Sequence, residues 1–115
     1  MKDKPADFLI ISGDDDLAFG VALAGGAGVI SVIGQAFPKE FSTMINHGLQ
    51  GNNKEGYATH FKMMDIIDYI FEENNPAGIK TVLQELDICS NNVRLPLVKV
   101  SDALETKIAN YVANF

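Results

Sequence analysis

Phe8-Leu9-Ile10-Ile11-Ser12-Gly13-Asp14-Asp15 decides the fold: a short run of bulky apolar residues, a small-residue exit, then acids that continue through Asp16. A brief apolar run bounded by turn residues reads as a strand buried on both faces of a parallel sheet. Gly28-Val29-Ile30-Ser31-Val32 has the same character. Between the two, residues 17–24 form an apolar segment long enough for one helix, stopped by Gly25-Gly26. The unit reads strand, helix, strand, with parallel strands at 8–11 and 28–32. Asp14 or Asp15 is placed to cap the free N–H groups at the helix start, where negative charge also meets the helix dipole favourably.

Residues 2–4, ahead of Pro5, read as a loop closing a helix that lies outside this chain. Downstream of Pro38 the pattern is helical with one extended interruption. Pro38 suits a first helical turn, Phe41, Met44, Ile45 and Leu49 share one face, and Gly51-Asn52-Asn53 ends the run. A longer helix covers 54–73, with Tyr57, Phe61, Met64, Ile67 or Asp68, and Phe71 as its stripe, and Asn74-Asn75-Pro76 breaks it. A third helix turns Ile79, Val82, Leu83 and Leu86 inward. Residues 93–98 are extended around Pro96, and Ser101 caps a last helix with Leu104, Ile108, Val112 and Phe115 inward. Two parallel strands alone leave both edges unpaired and many helix faces without partners. The pattern therefore reads as part of a larger assembly.

The 115 residues are 47% hydrophobic and 21% charged, a globular composition of one domain's length. A formal net charge of -6, with the lysines and Arg94 scattered, argues against a nucleic-acid or anionic-membrane surface. The single Cys89 excludes an intrachain disulfide and fits a reducing compartment. No run approaches the ~20 apolar residues of a membrane span, and the opening residues lack a secretory pattern. The expected location is cytoplasmic.

The turn at Gly13, Asp14 and Asp15 follows a parallel strand, at the end of the sheet where α/β folds bind ligands. Gly13 would leave room for a small anionic ligand; the plainer reading is a strand-to-helix turn with capping acids. Gly26-Ala27-Gly28-Val29-Ile30-Ser31 is not a dinucleotide fingerprint, because its glycines precede the strand. Asp14, Asp15 and Asp16 fan out from a helix start, so they do not converge as a metal site. His47 and His60 sit on different helices and read as surface or packing residues. Lys80 reads as a solvated or ion-paired helix lysine, and Cys89 as a small apolar residue.

Three segments together resemble one family: residues 9–15, residues 25–32, and Asn75-Pro76-Ala77-Gly78-Ile79-Lys80 with Val93-Arg94-Leu95-Pro96-Leu97. The chain is similar to the C-terminal portion of bacterial dihydrodipicolinate synthases (4-hydroxy-tetrahydrodipicolinate synthases), over essentially its whole length. It departs from the usual pairs at Ile33-Gly34 and Ala77-Gly78.

The resemblance implies an α/β fold, the C-terminal part of a (β/α)8 barrel of ~250 residues followed by extra helices. The two strands become the seventh and eighth; residues 1–50 are the last two β/α units and residues 51–115 the C-terminal helical extension. It also implies a lyase of lysine and diaminopimelate biosynthesis, condensing pyruvate with aspartate semialdehyde through a lysine Schiff base. That lysine lies outside this chain, which carries no catalytic residue and is inactive alone; Lys80 matches a different family lysine. Ile30, Gly13 and Asp14 match positions that contact or border bound pyruvate. No cofactor or metal is implied, and the family assembles as a homotetramer. The rival readings are another pyruvate aldolase, such as an N-acetylneuraminate lyase, and a non-catalytic half-barrel scaffold.

Overall fold

Strand pairing is confined to two residues on each side. In a computed structural model, which describes residues 3–115, β1 (Ile11–Ser12) lies parallel to β2 (Gly28–Val29), with Ile11 opposite Gly28 and Ser12 opposite Val29. Met1 and Lys2, of which Lys2 belongs to the expected lead-in loop, lie outside the described residues. Ala27 N–H donates to Ile10 and Ile30 N–H to Ser12, so the ladder extends one bond beyond each end. The chain divides into two compact units, Met1–Met63 and Met64–Phe115.

In the first unit α1 (Asp15–Leu23) follows β1, and α2 (Pro38–Gln50) follows β2 after a 3-10 turn at Ile33–Gln35. α1 ends where Gly25, at φ +95°, and Gly26 reverse the chain; a Cβ on Gly26 would lie 2.6 Å from the Val21 side chain. α2 begins at Pro38 and ends on Gly51 at φ +75°, where the sequence places both boundaries. Phe19, Ile33, Phe41 and Met44 form the core, none more than 5% exposed. Part of α3 (Asn53–Glu72) belongs to this unit, and its Gly56 faces the Phe19 ring so closely that a Cβ would lie 2.1 Å away.

The second unit holds the rest of α3, α4 (Ala77–Glu85) and α5 (Asp102–Asn114). Ile66, Ile70, Val82, Leu104 and Ile108 are buried in it. Ser101 caps α5 as expected, its Oγ accepting from Leu104 N–H at 3.3 Å. The Glu73 carboxylate accepts from Ser101 N–H and Oγ–H in turn, and these bonds hold its pKa below the usual carboxylate value. Among the described residues no helix is long and apolar enough to cross a membrane.

Several expectations fail on contact with the structure. The strands are not buried on both faces: Ile11 is 48% and Ile30 77% exposed. Both lie on the side away from the helices, because α1 and α2 cover one face of the sheet and no described element of this unit covers the other. The stripe expected to be inward on α3 is largely outward. Tyr57, Phe61 and Phe71 are exposed; of that stripe only Ile67 is buried, alongside Met63, Ile66 and Ile70. α3 carries two apolar stripes, and the partner helices select the second. Leu49 of α2 is exposed as well, since Gly48 takes the inward position against Ala22 and Phe19. Cys89 is exposed instead of packed.

Candidate functional site

The carboxyl ends of β1 and β2 lie side by side. Ile30 N–H donates to the Ser12 carbonyl at 3.0 Å, which brings Ile30 next to the turn that begins at Gly13. The Ser12 hydroxyl closes that turn, donating to the Asp14 carbonyl at 2.8 Å and accepting from Asp14 N–H at 3.2 Å. Gly13, Asp14 and Ile30 are all exposed, and a Cβ on Gly13 would meet nothing within 4 Å. Ile30 and Ile11 share the open face of the sheet, because side chains two residues apart along a strand point the same way.

Asp14 and Asp15 do not cap α1 as expected. Asp14 occupies the N-cap position without a side-chain bond, and Asp15 reaches across to the segment after β2. One Asp15 carboxylate oxygen accepts from Val32 N–H at 3.0 Å and Ile33 N–H at 2.8 Å. Asp15 is 2% exposed and thus ties the exit of one strand to the exit of the next. Sequence reasoning missed this tether, because its partners lie seventeen and eighteen residues away and are backbone amides with no residue signature.

Among the described residues no three His, Cys, Asp or Glu side chains converge to hold a metal ion. Lys80 donates to the Asn92 carbonyl, which ties α4 to the segment that follows it. Lysines 4, 39, 54, 62, 80, 99 and 107 all lie off β1 and β2. His60 packs among aromatic rings: its centroid is 5.8 Å from Phe19, 6.1 Å from Tyr57 and 5.3 Å from Phe61. Desolvation there holds its pKa below the ordinary 6.5, and the Asp16 carboxylate pulls weakly the other way.

The sign of the resulting pH effect follows. The unfolded chain binds a proton at the ordinary value while the fold resists it, so the His60 contribution is complete above that pH. It drains away as pH falls toward the lower folded value. Urea midpoints at about pH 7.5 and about pH 5.5 should therefore fall more steeply for the wild type than for His60→Gln. Parallel losses would remove His60 from the account.

The profile of the dihydrodipicolinate synthetase family matches residues 1–114. The chain belongs to that family. Among dihydrodipicolinate synthetase relatives, the 4-hydroxy-tetrahydrodipicolinate synthase of Flavobacterium psychrophilum is 51% identical over 105 residues, covering 91% of this chain and 36% of its own length. The match falls in the C-terminal part of the curated relatives, of which this chain spans little more than a third. The dihydrodipicolinate synthase of Aquifex aeolicus superposes with a TM-score of 0.90 at 31% identity, over 96% of this chain and 38% of its own. The chloride-inhibited synthase of Acinetobacter baumannii, solved with pyruvate, gives a TM-score of 0.88 at 25% identity, over 93% and 37%. These structural neighbours are TIM-barrel enzymes, and the present chain is a helix-rich α/β structure with a two-stranded sheet.

Proposed function

We propose that this chain is the C-terminal part of a lyase that condenses pyruvate with aspartate semialdehyde through a lysine Schiff base. The observation that carries the reading is the family match over residues 1–114, located in the C-terminal part of relatives named 4-hydroxy-tetrahydrodipicolinate synthase. In this reading β1 and β2 are the seventh and eighth barrel strands, residues 1–50 are the last two β/α units, and residues 51–115 are the helical extension. The open face bearing Ile11 and Ile30 then lines the barrel interior, which accounts for its apolar character in a sheet otherwise covered on one side only.

The chemistry divides accordingly. A Schiff base needs a desolvated amine on a rigid element, and no described lysine lies on either strand. The amine therefore comes from the part of the protein that precedes this match. This chain contributes the rim: Gly13 leaves space at the strand exit, Asp14 borders it, and Ile30 presents an apolar surface that keeps water from the bound acid. Asp15 holds the two strand exits in register from behind. The Acinetobacter baumannii neighbour, solved with pyruvate, is the precedent for a small 2-oxo acid as ligand.

The test is a chimera in which this chain replaces the matching part of the Flavobacterium psychrophilum enzyme. Ile30→Asp places a carboxylate beside an anionic substrate in a site of low dielectric, and kcat/KM for pyruvate should fall about 100-fold. Unchanged kinetics would take Ile30 out of the site.

A further inference from the structure

Three successive amides after β2 are taken by side chains of the chain itself. Val32 N–H and Ile33 N–H donate to one Asp15 carboxylate oxygen, at 3.0 and 2.8 Å, and Gly34 N–H donates to the Ser31 hydroxyl at 2.8 Å. At the exit of β1 the Asp14 N–H goes to the Ser12 hydroxyl in the same way. In (β/α)8 barrels the loops after the last two strands are a frequent seat for a substrate phosphate, held by backbone N–H groups. In this chain a carboxylate of the protein occupies that place.

The kind of side chain is the informative part. A tether between two strand exits needs only an acceptor, and a neutral one would supply it without burying a charge. Asp15 is a carboxylate, 2% exposed, and its second oxygen is buried with no hydrogen-bond partner among the described residues. The fold therefore encloses more acceptor capacity, and more charge, than the tether uses. What a carboxylate adds over a neutral acceptor is repulsion of a second anion, which is strong where water screens poorly. Asp14 and Asp16, both exposed, flank it and act in the same direction.

We propose that Asp15 is a specificity-determining residue, a built-in anion that fills the barrel's phosphate seat and so turns away phosphorylated carbonyl substrates. The inference rests on the barrel placement proposed above, and it concerns the choice of substrate, not the Schiff-base step. The exclusion has two parts. The amides that would hold phosphate oxygens are occupied, and their occupant carries the same sign of charge as the phosphate. Bulk plays little part, since a Cβ on Gly13, two residues ahead, would meet nothing within 4 Å. Removing the carboxylate should therefore convert the seat from one that repels phosphate to one that holds it.

Inorganic phosphate is the probe, applied to the chimera with the Flavobacterium psychrophilum enzyme. Asp15→Ala vacates both amides, and Asp15→Ser replaces the carboxylate with a short neutral group that still suits a helix start. Asp16→Asn removes one exposed charge next door and leaves the amides taken. Melting temperature is read in about 50 mM phosphate against chloride of equal ionic strength, with the wild type reporting the general stabilising effect of phosphate. The Ala and Ser variants should gain at least ~3 °C more from phosphate than the wild type, and Asp16→Asn no more than the wild type. In a chimera that traps pyruvate on borohydride reduction, phosphate should also inhibit both Asp15 variants at ~10-fold lower concentration than the wild type. Equal thermal gains in wild type and variants overturn the proposal. So does an Asp16→Asn gain matching that of Asp15→Ala, which would reduce the effect to net charge, or a thermal gain without inhibition, which would put the seat outside the pocket. Variants that stay unfolded even in phosphate overturn it as well, because the added anion should replace the lost carboxylate on the same amides. A thermal gain in a chimera that traps no pyruvate leaves the seat standing and overturns the lyase reading instead.

Discussion

Asp15→Ala should lower the unfolding free energy by about 2–4 kcal/mol, the cost of stranding two amide donors that have lost their acceptor. Val32 N–H and Ile33 N–H both donate to one oxygen of this carboxylate, and Ile33 is fully buried. Alanine offers no replacement, and the site is too enclosed for bulk water to compensate freely. Asp15→Asn keeps one acceptor oxygen and should fall between the wild type and the alanine variant. Urea unfolding followed by circular dichroism measures the series. An alanine variant within about 0.5 kcal/mol of the wild type, the range of an ordinary surface substitution, would show that the tether does not hold the strand exits.

Phe19→Ala should cost about 3–5 kcal/mol, the range for deleting a fully buried aromatic ring from a packed core. Phe19 is 0% exposed and stands edge-on to Tyr57 at 4.9 Å. Glycines at positions 48 and 56 press helices against the ring, so the cavity left by alanine has backbone on several sides and collapses poorly. The same change has a second signature. His60 owes its lowered pKa mainly to desolvation among neighbours that include Phe19, so opening this cluster should raise it toward the ordinary value. Chemical unfolding gives the first quantity and NMR titration of His60 the second. A stable variant with an unmoved His60 would mean that the ring is not the keystone of the first unit.

Each of these effects depends on contacts between residues far apart in sequence, which marks the boundary of what could be read without coordinates. The strand-helix-strand order, the helix boundaries at Pro38 and Gly51 and the Ser101 cap were legible, because backbone constraints of proline, glycine and a capping hydroxyl act within one turn. The family was legible too, from three segments spaced along the chain. The place of the Gly13 turn at the carboxyl end of the sheet followed from parallel pairing, whereas its adjacency to Ile30 came with the observed register.

What the tertiary structure alone decided was which surface finds a neighbour. Helical periodicity shows that α3 is apolar on more than one face but carries no information about which face meets α1 and α4. Hence Met63, Ile66 and Ile70 are buried, and Tyr57 and Phe61 are not. An acid at a strand exit looks the same whether it caps its own helix or reaches another segment, and only packing gave Asp15 the amides of Val32 and Ile33. The apolar run at 8–11 promised burial on both faces, yet burial is a property of what lies opposite. Two short strands with helices on one side leave Ile11 and Ile30 facing outward, because α1 and α2 cover only one face of the sheet.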